Sequence, residues 1–456
     1  MNQLRIGLST QTPLIRMGKE PNLLGNGAGV QGKPVLLQEG AFNLSPGGVS
    51  RMVLQMVRQW HATGWMREAH WFSLQPQGPE RVRLDELNLD VHHLRLPESE
   101  MQAYARTKEK LWGDIHGLES TRFDTEDFRF YARYNWGTSD AIMAQAPGLD
   151  AVYVHDFQLL QVGALVGLTA PTILRWHVPF DPSRLPRYTR HFMLRLMEDF
   201  DGIIVSTRRD LQGLTNAGYR GKVLQQYPHT DVQDWPTPVQ ADVADFEARA
   251  GLQPDSPAIL CVGRMDPIKR QDVLLEAMAL LRRKHPSARA VLVGNGSFSA
   301  NPQSGLGLTK AAKWRAYLED LARELKVAEH VRFTGWLPDN LVTAAYQRAA
   351  VLVLPSNIEG FGLTTFEAWA YGKPCVISTG CGSAEVVQDG VNGYTFPPGV
   401  AQALAARLDS LLTDPDSAER MGEAGNVALR GYTVQQAAPQ VCGFIEEAIE
   451  RFRRTT

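Results

Sequence analysis

The sequence predicts an α/β protein built from two doubly wound domains, each with a parallel β-sheet. Short apolar runs rich in Val, Ile and Leu alternate with longer helical patterns, as expected for strands buried on both faces of a parallel sheet. The runs fall into two sets, and a stretch rich in Pro and Asp, residues 228–243, separates them. Ligands of such sheets bind beyond the carboxyl ends of the strands, so we expect a site in a cleft between the two domains.

The first set of strands defines an N-terminal domain, predicted over residues 1–235. Its expected strands are Leu4–Leu8, Ala151–His155, Thr172–Trp176, Gly202–Val205 and Val223–Gln226, with a helix over Val49–Thr63. Residues 11–45 follow the first strand and contain GNGAGVQGKP, which lacks the Gly-Lys-Ser/Thr ending of a phosphate-binding loop. They predict an inserted loop or hairpin, and a lid near the cleft is the alternative.

The second set defines a C-terminal domain, predicted over residues 236–435. Its expected strands are Ala258–Val262, Ala290–Val293, Val331–Thr334, Val351–Leu354 and Cys375–Ser378, and its expected helices are Gln271–His285, Ala311–Leu325 and Ala403–Thr413. Residues 301–310 are expected to form a loop. Residues 436–456 predict a final helix that crosses back to the N-terminal domain.

Composition excludes several classes of protein. The chain of 456 residues has a net charge of −2, so no basic surface indicates nucleic acid. No apolar run is long enough to span a membrane, and the first residues do not resemble a signal peptide. The four cysteines lack metal-binding spacing, which favours a reducing, cytoplasmic setting. A homodimer is compatible with the sequence.

The stretch SNIEGFGLTTFEAWAYGKP, residues 356–374, places two carboxylates around a glycine turn. Gly360 and Gly362 lie between a predicted strand and a helix that begins near Leu363, where free N–H groups suit a phosphate. Glu367 in the first helical turn has a purely structural reading, because a carboxylate there is favoured by roughly 0.3–1 kcal/mol. That reading does not explain Glu359, which precedes the helix. A nucleotide sugar, with hydroxyls on both sides of its diphosphate, fits both glutamates.

This stretch resembles the E-x7-E signature of retaining glycosyltransferases of the GT-B fold, especially glycosyltransferase family 4. CVGRMDPIKRQDVLLEAM, residues 261–278, looks like the family's donor loop, and GCGSAEVVQDGVNGYTFPPG, residues 380–399, resembles a third family segment. The resemblance implies that Glu367 holds ribose hydroxyls and Glu359 the hydroxyls of the transferred sugar. It also implies donor contacts from the turn between them, at Gly360, Phe361, Gly362 and Leu363.

Two cations after the Ala258–Val262 strand complete the predicted donor site. Arg264 and Lys269 are expected to neutralise the charge that develops on a diphosphate leaving group. No acidic pair stands where a divalent ion would be held, so we expect neither a metal nor another cofactor. The expected partners are a nucleotide sugar and a small sugar acceptor.

Two strand ends in the N-terminal domain carry polar residues that predict an acceptor site. HDFQLL includes His155 and Asp156, and WHVPFDP includes His177. The two segments resemble stretches of trehalose-6-phosphate synthases and, for the first, of trehalose glycosyltransferring synthases. The resemblance implies acceptor contacts for all three residues and catalytic roles for Asp156, His177 and Glu359. SPGGVS, residues 45–50, resembles the family's glycine loop and adds Gly48 to the donor contacts.

The predicted activity is retaining transfer of a hexose, by preference glucose, to a small soluble sugar, with a trehalose-like disaccharide as the most specific product. One alternative is a family 4 enzyme acting on a polysaccharide or glycolipid precursor. Alternatives of another class are a nucleotide-sugar epimerase or hydrolase on the same fold, and a sugar-nucleotide binder without catalysis.

Overall fold

The computed structural model describes residues 3–17, 35–36, 42–44, 48–75, 78–118, 122–145, 147–295 and 305–455. The chain forms two compact units. Unit 1 joins residues 1–229 to residues 434–456, and unit 2 comprises residues 230–433. The division therefore falls at residue 229 rather than 235, and the chain returns to unit 1 at Val434.

Unit 1 is built on a sheet of nine strands in the order β11-β10-β9-β8-β1-β5-β7-β6-β3. All adjacent strands of this sheet are parallel except β6 and β7, which pair antiparallel. The strands are β1 (Leu4–Thr10), β3 (Val35–Leu36), β5 (Met66–Leu74), β6 (Arg81–Leu84), β7 (Leu89–Leu94), β8 (Ala151–His155), β9 (Thr172–Trp176), β10 (Gly202–Val205) and β11 (Val223–Gln225). A separate antiparallel pair joins β2 (Ile15–Met17) to β4 (Phe42–Leu44) within the segment expected to be an insertion.

Helices cover the large sheet and bury its apolar residues. They are α1 (Gly48–Ala62), α2 (Glu98–Ile115), α3 (Thr125–Gln145), α4 (Val162–Val166), α5 (Arg187–Met197), α6 (Arg208–Asn216) and, from the C-terminus, α14 (Val434–Thr455). One core cluster contains side chains of α1 and α14, and a second contains side chains of α3 and α5. Burial of these amphipathic faces gives the sheet its two apolar layers.

Unit 2 is a parallel sheet of six strands in the order β14-β13-β12-β15-β16-β17. The strands are β12 (Ala258–Val262), β13 (Arg289–Val293), β14 (Val331–Gly335), β15 (Val351–Leu354), β16 (Cys375–Ser378) and β17 (Tyr394–Phe396). The helices are α7 (Gln240–Ala250), α8 (Gln271–Leu281), α9 (Gly305–Glu324), α10 (Asp339–Arg348), α11 (Thr364–Ala370), α12 (Ala401–Thr413) and α13 (Pro415–Leu429). This is the doubly wound order in which ligands bind where the strand order reverses, between β12 and β15.

The predicted fold class is confirmed: both units are Rossmann-like α/β domains. The start of α9 differs from expectation. α9 begins at Gly305, so part of the segment expected to be a loop over residues 301–310 is helical. Two glycines in GLGL carry a helix penalty in isolation, and tertiary packing of the later turns, through buried Ala311 and Leu318, outweighs it.

None of the helices in the described parts of the chain has the length and apolar character needed to cross a membrane.

Candidate active site

The glycine turn of unit 2 connects strand β15 to helix α11. Gly362 lies at the end of this turn with φ of +99°, a conformation that side chains with a Cβ rarely adopt. Ser383 fixes the turn from the neighbouring segment, because its N–H donates to the carbonyl of Phe361 at 2.7 Å and its Oγ bonds Thr365 Oγ1 at 2.9 Å. Gly360 and Phe361 are buried, and Leu363 is half-buried at the start of the helix.

Glu359 is held in this turn by two side chains and by the main chain. Lys269 Nζ contacts Glu359 Oε1, and Ser356 Oγ donates to Glu359 Oε2 at 2.9 Å. Burial raises the pKa of Glu359, but the charge of Lys269 and the hydrogen bonds from Lys269 and Ser356 outweigh burial and hold the pKa below its usual value. Glu359 is therefore an ionised carboxylate at neutral pH.

Lys269 reaches Glu359 from the loop that follows β12. A single turn over Pro267–Lys269 presents it, and Asp266 Oδ1 caps that turn by accepting from the N–H of Ile268 at 3.1 Å. Asp266 also pairs with Lys310 at 3.0 Å. The position of Lys269 thus depends on a capped turn rather than on a flexible loop.

Arg264 lies in the same loop and acts electrostatically on both carboxylates. Burial raises the pKa of Asp266 and of Glu359, and the positive charge of Arg264 acts in the opposite direction and lowers both. Its carbonyl accepts from Gln271 Nε2 at 2.8 Å, and this bond ties the loop to the first turn of α8. The structure therefore brings together Arg264, Lys269 and Glu359, which the sequence analysis grouped as donor residues.

Glu367 lies in the first turn of α11. Tyr346 Oη, from α10, donates to Glu367 Oε2. The Tyr346 ring stacks on Tyr371 with centroids 6.0 Å apart, and Tyr371 Oη donates to the carbonyl of Pro236 at 2.9 Å. Sequence reasoning missed both Tyr346 and Ser356. Tyr346 could not be found because no spacing rule links a tyrosine of one helix to a glutamate of the next.

In unit 1 the predicted acceptor residues meet at the carboxyl ends of two adjacent strands. His155 ends β8 and His177 follows β9, and these strands are parallel neighbours. His155 Nδ1 and His177 Nε2 are 2.9 Å apart, and the rings stack with centroids 5.3 Å apart. Burial places the pKa of each imidazole well below its usual value, so both rings are neutral at physiological pH.

Asp156 follows His155 in the chain and has a strained backbone conformation. Its φ is +73°, and its Oδ1 accepts from the N–H of His177 at 3.3 Å. Burial raises its pKa to about 7, although the N–H groups of His177, Phe157 and Val178 act in the opposite direction. A carboxyl group that titrates near neutrality, on a strained backbone, is a recognised feature of functional sites.

Replacing Asp156 with Asn is expected to change the pH dependence of stability. The folded pKa of Asp156 lies above its unfolded value, so wild-type stability contributed by this group is present at low pH and is lost as pH rises through about 7. Asn cannot ionise and tolerates a positive φ. The melting temperature of the variant, relative to wild type, should therefore increase between pH 4 and pH 8, as measured by thermal unfolding. A difference that is constant over this range would contradict the shifted pKa.

Gly48 is the first residue of α1 and is exposed. The preceding residues of the predicted glycine loop, 45–47, lie outside the described residues, as do residues 18–34 and 37–41 of the expected insertion. The start of the expected insertion is bonded to α1, because Ser50 Oγ donates to the carbonyl of Thr12 at 3.4 Å.

Glu68, His70 and Asp90 form a group of potential metal ligands on the sheet of unit 1. Their carboxylates are already matched by arginines: Arg5 bonds Glu68 at 2.9 Å, and Arg81 bonds Asp90 at 2.8 Å. A divalent cation would have to displace these guanidinium groups or bind beside them. We therefore assign no metal to this group.

Profiles of two glycosyltransferase families match this chain. "Glycosyl transferases group 1" matches residues 242–427, and "Glycosyl transferase 4-like domain" matches residues 47–228. A D-inositol 3-phosphate glycosyltransferase of Frankia alni is 30% identical over 324 residues, which cover 65% of this chain and 75% of that protein. The chain therefore belongs to the glycosyltransferase family of the Frankia alni protein. This membership confirms the enzyme class predicted from the donor motifs, a glycosyltransferase.

Other curated relatives match over shorter stretches. A D-inositol 3-phosphate glycosyltransferase of Streptomyces griseus is 34% identical over 46% of this chain and 43% of its own length. A GDP-mannose-dependent α-(1-6)-phosphatidylinositol monomannoside mannosyltransferase of Mycolicibacterium smegmatis is 31% identical over 53% of this chain and 61% of its own length. The chain thus spans about half the length of the first curated relatives it matches.

Solved structures share the fold at low sequence identity. α,α-Trehalose 6-phosphate synthase of Burkholderia multivorans superimposes with a TM-score of 0.75 at 17% identity, over 99% of this chain and 100% of that chain. HepE of Anabaena, solved with UDP and glucose, gives a TM-score of 0.67 at 17% identity, over 98% of this chain and 100% of that chain. At such identities the likeness establishes the fold alone.

Proposed function

We propose that this chain is a retaining glycosyltransferase that moves a hexose from a nucleotide-diphosphate sugar to a small hydroxylated acceptor. The observation that carries this proposal is the ionised carboxylate of Glu359, paired with Lys269 in a glycine turn after β15. A nucleotide sugar needs a group that accepts hydrogen bonds from its sugar hydroxyls and, beside it, a cation for its diphosphate. Glu359 supplies the first and Lys269 the second. The complex of HepE with UDP and glucose supports a ligand of this kind.

The donor residues act on charge and orientation. When the bond between the anomeric carbon and the diphosphate breaks, negative charge develops on the leaving oxygen, and Lys269 and Arg264 stabilise it. Glu359 accepts from sugar hydroxyls and fixes the anomeric carbon for attack. The acceptor oxygen bonds that carbon on the same face, and its proton passes to the leaving phosphate oxygen. The reaction then needs no metal and no protein nucleophile.

Replacing Glu367 with Gln is expected to weaken binding of the nucleoside diphosphate by roughly 10-fold or more, since a hydrogen bond to a charged group contributes about 1.5–3 kcal/mol. The proposed role of Glu367 is to accept from the two ribose hydroxyls. Calorimetric titration with UDP, ADP and GDP measures the effect.

Two further variants interpret that titration. Tyr346→Phe keeps the carboxylate but removes the donor that orients it, so its loss of affinity should be smaller. Glu319→Gln changes a half-buried glutamate of α9 that pairs with Arg315, and should bind nucleotide like wild type. Unchanged affinity in Glu367→Gln would remove Glu367 from the donor site.

For the acceptor, we propose glucose or a glucose phosphate, with a trehalose-like product as the most specific case. His155, Asp156 and His177 form a compact polar group in which Asp156 and His177 are suited to bond sugar hydroxyls. The name of the Burkholderia multivorans enzyme supports this choice. The names of the curated relatives support a second candidate, an inositol phosphate or a phosphatidylinositol mannoside.

A donor-by-acceptor screen tests these proposals. UDP-, ADP- and GDP-glucose and GDP-mannose are each combined with glucose, glucose 6-phosphate or inositol 3-phosphate, with and without EDTA, and the products are identified by mass spectrometry. Acceptor-dependent release of nucleoside diphosphate, with an α-linked product and no effect of EDTA, is the expected result. Acceptor-independent release would favour a hydrolase, and a change in the donor sugar alone would favour an epimerase. A product from inositol 3-phosphate but not from glucose acceptors would replace the trehalose-type proposal.

A further inference from the structure

A small cavity lies beside His155 in unit 1. Its volume is about 10 Å³, and four polar residues, Tyr153, His155, Arg175 and His229, line it together with four apolar side chains. All eight lining residues are buried. A volume of this size accommodates one particle about as large as a water molecule.

Arg175 brings a positive charge to this cavity. Arg175 is 2% exposed, and its Nη2 donates to the carbonyl of Gln226 at 2.8 Å. Its Nε has no hydrogen-bond partner, and among the described residues no carboxylate forms an ion pair with it. Asp210, whose charge acts on Arg175 from a distance, instead accepts from the N–H of Phe180 at 3.0 Å and from Thr207. Guanidinium groups stay protonated even when burial lowers their pKa.

The other polar residues around the cavity add no negative charge. Burial lowers the pKa of His155 far below its usual value and that of His229 to about 3, so both rings are neutral. Burial also raises the pKa of Tyr153 to about 12, so its phenol keeps its proton. The Nε2 of His155 is buried and, like Arg175 Nε, has no partner, whereas His229 Nε2 bonds the carbonyl of Met52 at 2.9 Å. Among the described residues around the cavity, Arg175 thus carries a positive charge without an ion-pair partner, and two buried nitrogens, Arg175 Nε and His155 Nε2, have no hydrogen-bond partner.

We propose that a small monovalent anion of the size of chloride binds in this cavity, held by Arg175 Nε and His155 Nε2. A buried charge without a counter-charge is costly, and the cost is relieved when an ion of opposite sign enters. A neutral water would satisfy the hydrogen bonds but would leave the charge uncompensated. The cavity is too small for larger polyatomic anions such as phosphate.

The bound anion sets the direction of the hydrogen bond between the two histidines. An anion accepts only, so His155 carries its proton on Nε2 and its Nδ1 accepts from His177 Nε2. The Nδ1 of His177 is then left as an acceptor for a substrate hydroxyl. The anion and His155 are thus positioning groups for His177, and this consequence rests on the proposed function, whereas the binding of the anion does not.

Crystals grown with sodium bromide in place of sodium chloride test binding directly. Bromide scatters anomalously, so the expected result is an anomalous peak in the cavity beside Arg175 and His155. A cavity that contains density without an anomalous signal would show water and would overturn the proposal, as would an empty cavity.

Thermal unfolding tests binding in solution. Chloride is varied against gluconate at constant ionic strength, and at about ten times its dissociation constant it should favour the folded state about 11-fold, which raises the melting temperature. Arg175→Gln removes the charge and should abolish this response, whereas Arg187→Gln, an exposed arginine of α5, should retain it.

If Arg175→Gln does not fold, Val441→Ile decides, because Val441 lines the cavity and an added methyl group fills it while Arg175 and His155 stay in place. A chloride response in Val441→Ile equal to that of wild type would overturn the proposal. Transfer rates are measured separately. An anion that binds without affecting transfer would disprove the positioning role alone. If the chain has no transferase activity, the bromide experiment still tests whether the anion binds.

Discussion

Replacing Lys269 with Met is expected to slow sugar transfer by about 10²-fold or more, the usual effect of removing one preorganised group that stabilises a leaving anion. Methionine keeps most of the volume of the side chain, so the loss reports the charge. Glu359 would lose the partner that keeps it ionised despite burial, and its pKa would rise. Initial rates at saturating donor separate this effect on kcat from any weaker donor binding.

Lys284→Met is the matched control for this experiment. Lys284 also pairs with a carboxylate of unit 2, Asp409 at 2.7 Å, but its side chain is 58% exposed, against 17% for Lys269. An exposed pair contributes little to stability and none to the proposed chemistry. Transfer at wild-type rate by Lys269→Met would show that the pair with Glu359 is structural.

Replacing Gly362 with Val is expected to lower the melting temperature and to reduce transfer by about 10²-fold, the loss that follows a displacement of about 1 Å in an active site. The φ of Gly362 is +99°, and a Cβ built there would lie 2.5 Å from Leu354 Cδ2 and 3.2 Å from Ser383 Oγ. A β-branched residue can be accommodated only if the side chain of Leu354 gives way or the turn that carries Glu359 moves, and the positive φ strains the backbone in either case. Thermal unfolding and donor kinetics measure the two effects.

Gly335→Val provides the comparison for backbone strain. Gly335 has φ of +71°, and nothing lies within 4 Å of a Cβ at its position. Its substitution by Val should cost about 1–3 kcal/mol of stability from strain alone and should leave transfer close to wild type. Equal kinetics in the two valine variants would indicate that the shape of the glycine turn does not matter for transfer.

Most of the regular structure could be predicted from local sequence. β8, β9, β10, β12, β15 and β16 begin and end where the apolar runs predict, because strands buried on both faces need unbroken apolar stretches. β5 was not predicted as a strand, and the segment of β7 was expected only as a strand edge. MREAHWFSL and LDVHHL contain charged or imidazole side chains, and these are accommodated by partners on neighbouring strands, such as the 3.1 Å contact between His70 Nδ1 and His92 Nε2.

The sequence by itself determined the class of this protein: two Rossmann-like domains, a glycine turn between two glutamates, and cations after a neighbouring strand. These features depend on residue type and short spacing, which local backbone geometry translates directly into strand, turn and helix. Only the tertiary structure decided which groups act together. Lys269 meets Glu359 across 90 residues, Tyr346 orients Glu367, and Arg175 lies with His155 around one buried cavity. Such contacts, and the protonation states they impose, follow from strand order and from burial, which bring together residues that no local pattern connects.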